Sequence, residues 1–350
     1  MDRIKSYIVN HQLISFFLLA YLFTWILWII FAPLAYSGGR AYHAPWLIIH
    51  LSVPLTIYGV FGPAIAAIII SFIVNPGKIQ RRTLRFWYVF IIGLIVIGLL
   101  YRHNRQQLHN INLYSVLICL ITAAPAAFVI SSIFSRVSGI KSLLQTLITP
   151  KGPILAYIVA LFLLPVMRVT GILINLILGR EIPQPEQSGD GFELIGMIMF
   201  FIAYSIIHNI FGEEIGWRGF ALPRFQSRFN PLISTSILGV LWLAWHLPLH
   251  YAEYGTNILD FVYPFYINIF FWGFIITWIY NWSKGSILAV GLMHVSYSQV
   301  YDFLPYTESW DFLMIAVGIF VIIGQRMWKK LPDNSPSVYR NAAPDWRAMT

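Results

Sequence analysis

FELIGMIMFFIAYSIIHNIFGEEIGWRG, residues 192–219, decides how the rest of the chain is read. After Glu193 it stays apolar to residue 212, then meets two adjacent glutamates and an arginine four positions beyond the second. About 17–25 residues without a permanent charge is the length that crosses a hydrocarbon core of roughly 30 Å as helix. Comparable stretches recur at 13–35, 47–74, 86–101, 114–134, 153–178, 232–250, 262–280, 286–303 and 311–327, so about ten spans are expected. The 350 residues are 58% hydrophobic and only 11% charged, with a mean hydropathy of +0.70, and a soluble domain of this length needs far more polar surface. Because each backbone N–H and C=O in lipid must bond within its own segment, the expected fold is all-α, a polytopic transmembrane helical bundle.

Charge sets the expected topology. Arg85, Arg136, Lys141, Lys151, Arg224, Arg228, Arg326, Lys329 and Lys330 fall on one set of connections, while Glu181, Glu186, Glu253 and Glu308 gather on the other. The positive-inside rule then puts both termini in the cytoplasm of an integral membrane protein, expected in the plasma membrane with lipids as its surroundings. Topology accounts for the net charge of +9, which leaves no separate argument for nucleic acid. Arg3 and Lys5 lead into the first span without a small-residue cleavage site, which reads as a retained helix. The single Cys119 excludes an intrachain disulfide and a cysteine metal cluster. Trp25, Trp28, Trp46, Trp87 and Trp310 fall near span ends and read as interfacial anchors.

The Pro/Gly/Gln-rich segment from Gly179 to Gly191 is the clearest boundary. It separates N-terminal helices of unreadable role (1–180) from a candidate catalytic core (190–305), followed by a final span and tail (306–350). Before it the exceptional intramembrane charge is Arg168, expected to snorkel or to pair with a carboxylate. After it, Glu213, Glu214, Arg218, His246, His250 and His294 all sit in or beside apolar segments. An ionisable group at membrane depth costs about 2.5–3.5 kcal/mol on insertion scales, so the six point to one shared polar cavity.

Three elements carry chemistry. In Glu213-Glu214-x-x-x-Arg218, Glu214 and Arg218 are one helical turn apart and can pair, while Glu213 turns to another face and is left to act as a general base. Alone, this pattern is more commonly an ion pair at a helix end. In Trp242-x-x-x-His246, with His250 four positions on, Pro248 intervenes and the glutamate of H-E-x-x-H is missing, so zinc is weakly supported and His250 is expected at the interface. In His294-x-x-x-Ser298 both side chains face one way and could donate to one oxyanion, with Gln299 one position off that face. If the two spans around Asn230 and Pro231 form a hairpin, Glu213 and His246 lie at one depth, unless Pro223 ends the first arm early.

These residues resemble the CPBP family, also called the type II CAAX prenyl protease or Abi family of membrane endopeptidases, over roughly 190–305. The family pattern is E-E-x-x-x-R, then F-x-x-x-H, then H-x-x-x-N or D. Trp242 stands here for the Phe, and Ser298 for the Asn or Asp. The resemblance implies peptide-bond hydrolysis at the membrane, on a peptide or lipidated protein C-terminus. Glu213 would activate water with help from His246, His294 with Ser298 would hold the oxyanion, and Arg218 would orient Glu214. No cofactor is the favoured reading, because Arg218 already supplies positive charge; zinc on Glu213, His246 and His294 is the alternative. A catalytically impaired immunity or scaffold protein, in keeping with Ser298, and a proton-relaying transporter are the rival classes. The chain ends Ala348-Met349-Thr350, so no prenylation motif of its own is expected.

Overall fold

The computed structural model describes residues 2–36, 52, 55–76, 84–103, 113–189, 191–255 and 258–340, and Trp46 and the last ten positions lie outside them. The chain is all-helical, 79% helix, with no strand among the described residues. A short α1 (Asp2–Asn10) leads into α2 (Gln12–Tyr36), followed by α3 (Gly62–Val74), α4 (Leu84–His103), α5 (Leu113–Ser132), α6 (Ser138–Ile148) and α7 (Ile154–Ile177). Next comes α8 (Gly191–Ser205), which runs through two π-helical segments, π1 (Ile206–Glu214) and π2 (Trp217–Ala221), into α9 (Leu222–Gln226). The last four helices are α10 (Pro231–Tyr254), α11 (Ile258–Trp282), α12 (Ile287–Phe303) and α13 (Glu308–Gly324).

Among the described residues, four helices are long and apolar enough to cross a membrane: Gln12–Ala35, Ile154–Ile177, Gly191–Gln226 and Pro231–Glu253. Shorter apolar stretches cover α3 (Gly62–Val74) and parts of α4 (Arg85–Val96), α5 (Ala123–Ser132) and α11 (Ile269–Trp282), while α12 and α13 have 17 residues each. The expected count of ten spans is not confirmed. The outward faces are apolar. Leu18, Leu22, Ile26 and Ile29 of α2, Phe162 and Val166 of α7, and Phe312 and Phe320 of α13 are exposed, as lipid-facing side chains are. In α6, Ile140, Leu143, Leu144 and Leu147 are buried while Lys141 and Gln145 are exposed, the pattern of a helix lying along an interface.

Several expectations change. The helix carrying the two glutamates continues past Pro223 to Gln226, because Pro223 occupies the first turn of α9, where its missing N–H costs nothing. The turn that follows is capped by Asn230, whose side chain accepts from Ile233 N at 2.9 Å, with Pro231 opening α10. Trp28 and Trp310 are buried, not interfacial; Trp28 donates to Thr56 O at 2.7 Å, and Trp310 lies under Arg168. Arg168 does not snorkel, and among the described residues it pairs with no carboxylate: at 2% exposure it donates to Leu304 O at 3.1 Å, with Tyr306 and Trp310 against its guanidinium. Its charge is spread over a carbonyl and two aromatic faces, which ties α7 to α13.

Beyond α13 the chain folds back beneath the glutamate-bearing helix. Tyr339 N donates to Pro223 O at 3.0 Å, and Gln226 donates to Ser337 O at 2.9 Å. The Arg224 guanidinium is held between the rings of Phe220 and Tyr339, 3.5 and 3.7 Å from their centroids. At the core of the bundle α3, α5 and α12 pack on π1, and α3, α6, α10 and α12 pack on π2.

Candidate active site

Both glutamates and the arginine sit in or at the edges of π1 and π2, where hydrogen bonds close over five residues instead of four. This geometry is rare and concentrates at functional sites, because it widens a turn and re-aims side chains at the cost of poorer packing. Packing is restored by glycine. A Cβ at Gly216 would stand 2.6 Å from Pro63 O, and one at Gly212 would stand 3.0 Å from Val60 O, so only bare backbone lets the motif helix approach the start of α3 this closely.

Glu214 is fully buried, and its Oε1 accepts from Arg218 Nη1 at 2.9 Å and from His294 Nδ1 at 2.6 Å. Its Oε2 is buried without a hydrogen-bond partner. The Arg218 guanidinium lies between Trp242 and Trp272, 5.1 and 5.4 Å from their rings, so the cation is screened from lipid by two indole faces. The ring of His294 packs against Trp272 at 5.0 Å and Trp242 at 6.0 Å. One carboxylate, one guanidinium and one imidazole are thereby locked into a single unit by α11 and α12.

Glu213, adjacent in sequence, has a different environment. Its Oε2 accepts from Trp242 Nε1 at 2.7 Å, a neutral donor, whereas Arg218 and His294 direct their contacts to Glu214. One turn along α10, His246 directs Nδ1 to Trp242 O at 3.0 Å. A carbonyl can only accept, so Nδ1 carries a proton in this contact. His246 packs edge-on to Trp242 at 5.0 Å and stacks on His250 at 5.5 Å. His250 is buried, with its Nδ1 3.9 Å from Glu253, so it is a support for His246 more than an interfacial group.

The third element differs from expectation in its hydrogen bonding. His294 points its Nδ1 at Glu214, and Ser298 spends its hydroxyl proton on His294 O at 3.3 Å. Ser298 Oγ in turn accepts from Asn209 Nδ2 at 2.7 Å, and the same amide nitrogen lies 3.4 Å from His294 O. Gln299 is turned away to donate to Ser205 Oγ at 3.2 Å. Sequence reasoning missed Asn209, Trp272 and the indole donor of Trp242. Asn209 had a readable signal, a polar amide four positions before Glu213 in an apolar run, whereas Trp272 had none among thirteen tryptophans.

A shared metal ion would need three or more His, Cys, Asp or Glu side chains converging, and no such group stands among the described residues. The donor set explains why: Glu214 is neutralised by Arg218 and His294, and Glu213 is held by an indole N–H. Glu213, His246 and His294, the zinc alternative read from the sequence, do not form such a group among the described residues.

Fold and site together define a helical membrane protein with a buried glutamate–arginine–histidine cluster. Residues 195–300 match the family model described as type II CAAX prenyl endopeptidase Rce1-like, and this range contains Glu213, Glu214, Arg218, His246, His294 and Ser298. Over 171 residues, 47% of this chain and 62% of the relative, the sequence is 27% identical to CAAX prenyl protease 2 of Methanococcus maripaludis. The chain thus spans less than two thirds of the length of that relative. Both comparisons support the CPBP family read from the three motifs, and with it an integral membrane protein related to proteases.

Proposed function

We propose that this protein is an intramembrane endopeptidase that hydrolyses a peptide bond in a membrane-associated substrate of the prenylated CAAX-type class, with Glu213 activating the water. The observation that carries the proposal is the unequal treatment of two adjacent carboxylates. Glu214 is committed to Arg218 and His294, whereas Glu213 keeps one oxygen on Trp242 and has the other available to a water molecule. Glu213 takes a proton from water as the oxygen attacks the substrate carbonyl, and returns it to the departing amine. His246, its ring held through Nδ1 on Trp242 O, helps Glu213 to activate the water. His294, held at Nδ1 by Glu214, is the donor to the oxyanion. Arg218 holds Glu214 in place. No covalent intermediate and no metal enters this sequence of steps.

The substrate class is carried by the kinship with CAAX prenyl protease 2 and by the apolar surroundings of the site, which suit a lipid-modified chain end. The basic connections further support a plasma-membrane orientation with both termini cytoplasmic, the side where such chain ends lie. The test is cleavage of a farnesylated peptide by the purified protein in nanodiscs, with and without chelator, for wild type and Glu213→Gln. Cleavage by wild type, a loss of about 100-fold or more in Glu213→Gln, and indifference to chelator are the expected results. Equal turnover by wild type and variant would remove Glu213 from the mechanism, and loss on chelation would restore the zinc alternative. Reporter fusions at each terminus that respond from the outside would refute the orientation.

A further inference from the structure

We infer that Asn209, not Ser298, is the second donor to the reacting carbonyl oxygen, beside His294. This rests on the peptidase reading above. A serine hydroxyl has one proton. That of Ser298 is directed to His294 O at 3.3 Å, inside its own helix, so the Ser298 hydroxyl acts towards its surroundings as an acceptor. The group it accepts from is the Asn209 amide, at 2.7 Å. A carboxamide nitrogen carries two hydrogens in a fixed plane, and binding Ser298 uses one of them. The second lies towards His294, whose carbonyl is 3.4 Å from the same nitrogen, a contact long enough to be exchanged for a better acceptor.

Placement supports this role. Asn209 is in π1, the segment that also carries Glu213 and Glu214, and π1 packs directly on α12, which carries His294 and Ser298. It is half-buried, in contrast to the fully enclosed Glu214, and so remains within reach of a bound chain. The Asn209–Ser298 bond orients the amide in the way a supporting acceptor orients a preorganised donor. The short Ser298 side chain makes room for an amide that reaches across from the neighbouring helix.

The experiment is steady-state cleavage of the farnesylated peptide by full-length protein in nanodiscs, for wild type, Asn209→Ala, Ser298→Ala, the double variant Asn209→Ala/Ser298→Asn, and Glu213→Gln as reference. Asn209→Ala should lower kcat by about 100-fold with KM little changed, the usual loss for one oxyanion donor. Ser298→Ala should lower it by less than about tenfold, since it removes only the support. The double variant, which moves the carboxamide to α12, should recover most of the lost kcat. If Asn209→Ala fails to fold by thermal shift, the isosteric Asn209→Asp decides by the same criterion. A Ser298→Ala loss equal to or greater than that at Asn209, or no recovery in the double variant, would overturn the inference while leaving the Glu213 reading intact. A wild type no faster than Glu213→Gln would overturn both.

Discussion

Trp242 binds the Glu213 carboxylate with its indole N–H and covers Arg218 with its ring face, so one side chain serves both halves of the acid pair. Phenylalanine at this position would keep the ring and lose the donor. Trp242→Phe is therefore expected to lower kcat by about tenfold to 100-fold, the equivalent of losing a hydrogen bond of about 1.5–3 kcal/mol to a charged group, with KM unchanged. Arg218 makes a different prediction. Removing its cation leaves the fully buried Glu214 with His294 alone, and breaking a buried pair costs about 3–5 kcal/mol. Arg218→Ala should be visible first as a lower melting temperature in detergent. Arg218→Lys should rescue it poorly, because an ammonium cannot lie flat between Trp242 and Trp272 while reaching Glu214.

The π1–π2 stretch is the element that makes the site. An α-helix through the same residues would satisfy Glu214 and Arg218 one turn apart, and it is the wider turns that deliver Glu213 to Trp242 and Asn209 to Ser298 from the same helix. Contact with α3 holds this geometry, and Gly216 is where the two backbones come closest. Gly216→Ala should destabilise the protein by about 1–3 kcal/mol and reduce cleavage, since a methyl group there meets Pro63 backbone and cannot be relieved by a rotamer change. Gly196→Ala, in the same continuous helix with open space around its Cβ, should be neutral or stabilising by up to about 1 kcal/mol. The pair of substitutions, compared by thermal shift, separates packing from helix propensity.

Across the whole molecule, polar chemistry is enclosed by helices whose outer faces are apolar. Phe320 on α13 is 74% exposed, so Phe320→Arg should place a charge in lipid at about 2.5–3.5 kcal/mol and reduce the fraction retained in membranes after alkaline extraction. The return of the chain beneath Pro223 and Gln226, with Tyr339 over Arg224, closes the end of the bundle next to the motif helix. Tyr339→Ala is expected to lower thermal stability by about 1–2 kcal/mol, through loss of an aromatic face on a buried guanidinium.

The helical membrane class was settled by composition and run length, because lipid admits only self-satisfied helices, and the pairing of Glu214 with Arg218 followed from their spacing on any helix. The count of spans was not, since run length marks apolarity and not which helices cross the membrane. Nor could spacing assign hydrogen-bond partners between helices. That His294 joins Glu214, that Ser298 serves Asn209, and that two tryptophans enclose Arg218 depend on which helices touch and at what rotation. Rotation was decided by bare glycine backbone against Val60 and Pro63 and by π-helical turns, neither of which leaves a periodic trace in a uniformly apolar sequence.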